Sequence, residues 1–259
     1  MIILYVLLCI LLLGVLIAVH EFGHFIIAKK CGCIIHEFAI GMGPKLWSKQ
    51  IGETKYSLRL LPIGGFCDIE GEAQVSCTEG SARLLCNQSG WKQSAVYVAG
   101  ATMNFIFGFI FILLGYVMRG TPINELLPST CNLYGLSVTV VFTALAQLFT
   151  GQLAGSDVGG VIGAVSQISS AAASASAHAV PLIFVLMGSI SVNLAIMNLL
   201  PLPCLDGGRI ALVGLNKISL WLFKKPLPEK FQEKAITITM VFILALTGIL
   251  MVKDVFDLF

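Results

Sequence analysis

The first thirty residues constrain the fold more than any other part of the chain. Residues 2–19 contain no charged side chain, and the first charge is Glu21, within the sequence His20-Glu21-Phe22-Gly23-His24. An apolar run of this length predicts a helix that crosses a lipid bilayer. Ionisable groups at that depth are costly unless they are paired or bind a metal ion. The pentapeptide is therefore the first candidate functional site.

The pentapeptide has the pattern H-E-x-x-H. On a helix, His20 and His24 are four positions apart, so both imidazoles project from one face and can share a metal ion. Glu21 lies beside them, where a carboxylate can take a proton from a metal-bound water. The alternative is a helix end whose polar residues simply reach the membrane interface.

The amino-acid composition is typical of an integral membrane protein. Hydrophobic residues make up 57% of it and charged residues only 12%, whereas soluble domains carry about 25% charged residues. The formal net charge of +2 is too small to indicate a nucleic-acid partner. We predict an α-helical integral membrane protein whose first partner is the lipid bilayer, with no nucleic acid bound.

Hydropathy and periodicity predict a four-transmembrane-helix bundle with a membrane-associated β-hairpin loop between helices 1 and 2. The predicted spans are residues 2–28, 94–118, 181–200 and 235–252. The hairpin is predicted between residues 40 and 71, where polar and apolar residues alternate and glycines punctuate the chain. An exposed strand edge there would suit pairing with an extended peptide. The alternative is a cytosolic hairpin that only links two helices.

The distribution of basic residues predicts the topology. Residues 29–93 hold eight Lys and Arg and residues 202–234 hold six, whereas the other side holds only Arg119 and Lys253. By the positive-inside rule, four spans then place both termini outside and the pentapeptide near the cytosolic side of a cell membrane. The apolar segment 134–150 either crosses or lies on the outer surface. A fifth span there would remove the charge bias and separate Asp206 from His20.

This topology divides the chain into three parts. We predict a first catalytic half at residues 1–118, an extracytoplasmic or membrane-surface region at 119–180, and a second catalytic half at 181–259.

A third metal ligand is predicted at Asp206. Pro201 and Pro203 stop the third span, and Asp206 emerges at that broken end, at the depth and side of the two histidines. Two histidines and one carboxylate leave a fourth position for water, as in catalytic zinc sites. One alternative is that Asp206 only caps a turn. Another is a third ligand from the acidic residues that follow the hairpin, namely Asp68, Glu70 and Glu72.

Two asparagines are further candidates. Asn198 precedes Asp206 by eight residues on the same broken segment, so its amide could stabilise a developing oxyanion. Asn104 is an uncharged polar group within the second span and needs a partner there. It either joins two helices or contacts the site.

Taken together, these stretches resemble the site-2 protease family of intramembrane zinc metalloproteases. The resemblance rests on H-E-x-x-H in the first span and on the segment from Asn198 to Gly207. Residues 41–65 are similar to the family's membrane-reentrant β-hairpin loop, and residues 100–104 are similar to its second-helix G-x-x-x-N segment. Residues 119–180 depart from the pattern, because about 60 residues are too few for the PDZ domain that many bacterial members carry there.

The resemblance implies a function and assigns residues to it. It implies Zn2+ bound by His20, His24 and Asp206, with Glu21 as the general base. It implies hydrolysis of peptide bonds within or near transmembrane segments, with anti-sigma factors or remnant signal peptides as bacterial substrates. The expected substrate-binding residues are Asn198, Asn104, Gly64 and Gly65.

Two other functions stay open at this point. One is a proteolytically inactive relative that binds membrane proteins, although an intact Glu21 argues against it. The other is a metal transporter that uses the same ligands in transit. The uncharged run at residues 2–19 offers no polar route to the site, which disfavours transport.

Overall fold

The computed structural model describes residues 2–74, 80–150 and 179–256. The elements in chain order are α1 (Ile2–Lys30), β1 (Ile35–Ile51), β2 (Thr54–Ile69), a 3-10 turn (Leu85–Asn87), α2 (Gly90–Met118), α3 (Ile123–Thr150), α4 (Ala179–Asn198), α5 (Asp206–Phe223) and α6 (Glu229–Phe256). The fold is mostly helical with one small antiparallel sheet, as predicted.

Four helices of the described chain are long and apolar enough to cross a membrane. They are Leu4–Lys30, Gly90–Met118, Ile123–Thr143 and Ala179–Asn198. The first, second and last of them match predicted spans. The predicted fourth span, residues 235–252, lies within α6, whose side chains are described only in part.

Helix α3 is longer than the sequence indicated. We predicted an apolar helix at residues 134–150, but α3 already begins at Ile123 and includes Pro128. The polar residues of its first turns obscured this start, since Asn, Ser and Thr favour turns over helix interiors. Which side of the membrane residues 119–180 face stays a prediction, and residues 151–178 lie outside the described part.

The chain forms two compact units, the first of which comprises Met1–Cys9, Phe105–Ile196 and Met240–Phe259. Within it, α3 packs along α4, where Val141 is buried with Val192 and Ile196. The second half of α2 approaches α4 at backbone distance, because a Cβ on Gly188 would lie 2.7 Å from the Gly108 carbonyl oxygen. Small residues at such crossings are typical of membrane helices.

The second unit comprises Ile10–Asn104 and Met197–Thr239 and contains every predicted site residue. Its core joins α1, the hairpin, α2 and α5. Phe25 of α1, Phe38 of β1, Tyr97 of α2 and Leu212 of α5 are all buried in one cluster. This cluster holds together four of the elements that carry the predicted site residues.

The hairpin is bent so that part of one strand pairs on both sides. Residues 37–40 have Cα partners at 65–68 and also at 55–58. Gly41 and Gly64 have positive φ angles of 84° and 87° near this bend, which side chains other than glycine rarely adopt. Apolar side chains on the outer part are exposed, as in Leu46 and Trp47. These features fit a membrane-associated hairpin.

A half-buried acid holds the hairpin together. Glu37 accepts hydrogen bonds from Ser57 Oγ at 2.6 Å, Arg59 Nη2 at 2.9 Å and Lys45 Nζ at 3.2 Å. Burial opposes ionisation of Glu37, but these three donors outweigh it and lower the pKa to about 2. The ionised carboxylate therefore stabilises the folded hairpin.

Glu37→Gln is expected to lower the thermal midpoint in detergent at pH 7 by about 3–6 °C, because charge-assisted bonds are lost. A lowered pKa means that this stability is present above about pH 4.5 and is lost as the pH falls towards 2. The gap between parent and variant should therefore narrow in that window. Exposed Asp68 provides the control Asp68→Asn. A gap that stays constant down to pH 2.5 would contradict the assignment.

Candidate metal centre and active site

Helix α1 presents the two histidines of the pentapeptide on one face. The helix runs unbroken from Ile2 to Lys30, so His20 and His24 lie one turn apart. Both are 8% exposed, and their Nε2 atoms are 3.2 Å apart. The predicted pairing of the imidazoles is therefore present.

Asp206 joins the histidines from α5. Its Oδ2 atom lies 3.1 Å from His20 Nε2 and 3.4 Å from His24 Nε2. The chain can reach this position because Gly207 and Gly208 touch backbone, where added Cβ atoms would lie 2.1 Å from Leu199 O and 2.0 Å from Leu202 O.

The alternative roles for the acidic residues do not fit this geometry. The N-cap of α5 is Leu205, so Asp206 does not cap the turn. Asp68 is exposed, and Glu70 lies 3.6 Å from His36. Within the described residues, His20, His24 and Asp206 form the metal-competent group, with ligand atoms within 4.8 Å of one another.

The three ligand atoms fit zinc. Bonds of about 2.0–2.1 Å in a tetrahedron place ligand atoms about 3.3 Å apart, and the observed separations are 3.1, 3.2 and 3.4 Å. Asp206 Oδ2 is buried and accepts no hydrogen bond within the described part of the chain. A buried anionic oxygen facing two imidazole nitrogens is costly without a cation between them.

Helix α2 orients both imidazoles from behind. His24 Nδ1 lies 2.8 Å from Val96 O, to which it can donate its proton. His20 Nδ1 lies 3.3 Å from Asn104 Nδ2. A neutral imidazole that ligates through Nε2 carries its proton on Nδ1, and Asn104 would accept that proton with its amide turned so that the oxygen takes the place of the nitrogen. Such contacts orient metal ligands.

Asn104 thus lies behind a ligand, and this position favours an orienting role over the predicted substrate contact. The sequence left two options for this residue, a helix-joining amide or a contact with the site. The structure combines them, because the amide joins α2 to α1 through His20.

Gly100 lies between Val96 and Asn104 on the same face of α2. A Cβ at this position would be 2.4 Å from His24 Nε2 and 2.8 Å from His20 Cε1. The helix can therefore approach the ligands only because residue 100 has no side chain. Its place in the G-x-x-x-N segment was the sequence signal for this contact.

Glu21 lies against the hairpin. Its Oε2 atom accepts a hydrogen bond from the Cys67 backbone N–H at 3.1 Å. Gly65 is next to it, where an added Cβ would lie 3.8 Å from Glu21 Cγ. The edge of β2 that carries Gly65 and Cys67 therefore faces the carboxylate.

Asn198 is the last residue of α4 and lies beside His20. Its Nδ2 atom lies 3.5 Å from His20 Nε2. The structure thus brings the predicted residue next to the candidate metal ligands.

Sequence reasoning missed a contact made by Arg209. Its Nη1 atom donates to Glu72 O at 2.9 Å and to Ala73 O at 3.1 Å, tying the loop after the hairpin to the first turn of α5. Burial raises the pKa of Glu72 to about 7, with His24 and Arg209 opposing it and Glu21 and Asp206 reinforcing it. Nothing in the sequence of this loop indicated the contact.

Comparison with known proteins decides the family. The profile described as Peptidase family M50 matches residues 8–246. The chain belongs to peptidase family M50. This confirms the resemblance to site-2 proteases, the zinc metalloprotease class and the zinc cofactor.

The individual relatives agree with the family. A protein of Clostridium perfringens named a "putative zinc metalloprotease" is 29% identical over 341 aligned positions, which cover 97% of this chain and 98% of the relative. A similarly named protein of Vibrio cholerae is 40% identical over 44% of this chain and 25% of its own length. The zinc metalloprotease Rip1 of Mycolicibacterium smegmatis is 36% identical over 41% of this chain and 28% of its own length. The match therefore spans about a quarter of the length of the Vibrio and Mycolicibacterium proteins.

Proposed function

We propose that this intramembrane zinc metalloprotease of family M50 hydrolyses peptide bonds within or near transmembrane segments of other membrane proteins, such as anti-sigma factors or remnant signal peptides. The observation that supports this proposal is that a His-His-Asp group, Glu21 and a strand edge lie together. A site that only bound zinc would have no use for a strand edge beside the carboxylate.

The residues divide the chemistry among them. His20, His24 and Asp206 would hold zinc, which would supply Lewis-acid activation of water and of the substrate carbonyl. Glu21 would accept a proton from the attacking water and pass it to the leaving amine. The N–H of Cys67 holds the carboxylate of Glu21 in place. The amide of Asn198 donates to the developing oxyanion.

The hairpin is proposed to hold the substrate extended. A helix keeps its carbonyls hydrogen-bonded within itself, so a membrane segment must unwind before attack. An unwound segment can pair with the strand edge at Gly64 and Gly65. Beside that edge is an apolar cavity of about 370 Å³, lined by residues that include Gly14, Ala18, Phe22, Ile40 and Gly64. The cavity suits an apolar side chain.

The active site is proposed to lie near the cytosolic side of a cell membrane. The support is the excess of basic residues at 29–93 and 202–234. His20 would then be roughly 15 Å inside the cytosolic end of α1 at Lys30, counted at about 1.5 Å per residue.

Asn198→Ala is expected to lower kcat by about 10²–10³-fold, since one oxyanion donor is lost. Zinc content should stay at the parental level, because Asn198 is not a ligand. Asn193→Ala provides a matched control on the same helix. A variant that keeps parental kcat, or that loses zinc, would contradict the assigned role.

Cleavage of a purified single-span substrate tests the proposal itself. In detergent or proteoliposomes, mass spectrometry should map the cut within or beside the membrane segment. 1,10-Phenanthroline should abolish cleavage and added zinc should restore it. A helix-breaking Asn-Gly pair in the substrate should raise the rate. Cuts confined to soluble loops, or zinc transport without any cleavage, would reject the proposal.

A further inference from the structure

The end of α5 exposes a group of apolar side chains far from the metal centre. Trp221 is 80% exposed and Phe223 is 71% exposed, and Leu215, Ile218, Leu220 and Leu222 are exposed with them. The opposite face of α5 is buried, with Leu212 and Val213 in the core of the second unit. The last turns of α5 therefore expose apolar side chains in addition to the apolar face that is buried.

Basic residues lie within and just after this apolar group in the sequence. The exposed lysines are Lys217, Lys224, Lys225, Lys230 and Lys234. The acids within the same stretch are Glu229 and Glu233. None of the five lysines forms an ion pair with another residue of the described chain. The stretch thus combines exposed aromatic rings with a surplus of positive charge.

The backbone holds this stretch in a defined shape. Asn216 Oδ1 accepts a hydrogen bond from Leu227 N at 2.9 Å, and Ser219 Oγ donates to Lys225 O at 2.8 Å. Gln232 Nε2 donates to Leu227 O at 3.0 Å. Hydrogen bonds from both helices therefore hold the turn between α5 and α6, so the backbone that carries Lys224 and Lys225 has a defined conformation.

We propose that residues 215–230, the anchor corner, bind the surface of an anionic lipid bilayer. Trp221 and Phe223 would enter the interfacial layer, where aromatic rings are favoured. Lys224, Lys225 and Lys230 would contact anionic headgroups. A protein partner is disfavoured because the chain is an integral membrane protein and α6 continues from this corner into the apolar residues 235–252.

The anchor corner is connected to the active site through one rigid element. Asp206 is the first residue of α5, and the corner is at the other end of the same 18-residue helix. Binding of the corner to the bilayer therefore fixes the direction of the helix that carries the third ligand.

Tryptophan quenching tests the proposal without relying on proteolysis. In a Trp47→Phe/Trp91→Phe background, Trp221 is the sole tryptophan. This protein is placed in vesicles that contain either brominated phosphatidylcholine or brominated phosphatidylglycerol. Bromine should quench Trp221, with an apparent preference of about threefold or more for phosphatidylglycerol. Lys224→Gln/Lys225→Gln/Lys230→Gln should reduce that preference to about one. Lys30→Gln/Lys49→Gln/Lys92→Gln, which removes the same charge elsewhere, should leave it unchanged.

Other outcomes overturn the proposal. Quenching by aqueous acrylamide but not by bromolipid would place the corner in solvent. Quenching by neither reagent would mean that a protein, or a second copy of this chain, covers it. Equal quenching by both bromolipids would reject the anionic site. The zinc content of each variant checks that it is folded. Native mass spectrometry of the lipids retained by the unsubstituted protein and by the lysine variant repeats the comparison of lipid preference with all tryptophans present.

Discussion

Gly100→Ala is expected to empty the metal centre although residue 100 binds no metal. The new Cβ would lie 2.4 Å from His24 Nε2 and 2.8 Å from His20 Cε1, so either α2 or both imidazoles must move. Changes beside metal ligands typically cost 10–100-fold in affinity, and here the ligand atom itself is displaced. We expect zinc affinity to fall by at least about 100-fold and cleavage to become undetectable.

Competition with a zinc chelator measures this affinity directly. Gly214→Ala on α5 is a matched control, since no atom lies within 4 Å of its added Cβ. Gly108→Ala on α2 is a second control, because its Cβ would meet Val192 and Gly188 rather than a histidine. It should lower stability while zinc affinity stays within a few fold. A Gly100→Ala protein with parental zinc affinity would refute the assigned helix contact.

Asp206→Asn is expected to have an effect of similar size for a different reason. The amide is neutral and a weaker ligand than the carboxylate, so two histidines alone would hold the ion. Loss of a ligand should exceed the 10–100-fold effect of its supporting contacts. Zinc affinity should therefore fall by more than about 100-fold, and activity should be lost with it.

The acidic residues after the hairpin provide the controls for this variant. Asp68→Asn and Glu72→Gln remove carboxylates that the sequence left as alternative ligands. Both should keep about one zinc per chain by elemental analysis. If Glu72→Gln lost zinc while Asp206→Asn retained it, the ligand set would have to be changed.

The three residues of the candidate metal centre could be brought together from sequence because each has a local signature. The pair His20 and His24 follows from helical spacing within an uncharged run, and Asp206 follows from the prolines that stop the preceding span. Local patterns also located the hairpin, although β1 begins at Ile35 rather than near residue 40. These features depend on residues close together in sequence.

Contacts between distant elements could not be predicted in the same way. The contact of Asn104 with His20 Nδ1 depends on how α2 packs. The hydrogen bond from Arg209 to Glu72 O depends on how α5 packs. The doubling of the hairpin depends on positive φ angles at Gly41 and Gly64, which the glycines permit but do not require. The start of α3 was missed because polar residues in its first turns resemble a loop.

Zinc content and cleavage, measured on the same preparations of the parent and Glu21→Gln, test the central claim most directly. The claim is that His20, His24 and Asp206 hold the ion while Glu21 moves the proton. It predicts about one zinc per chain in both proteins and loss of cleavage by at least about 10³-fold in the variant. A Glu21→Gln protein that cleaves at the parental rate, or that loses its zinc, would contradict it.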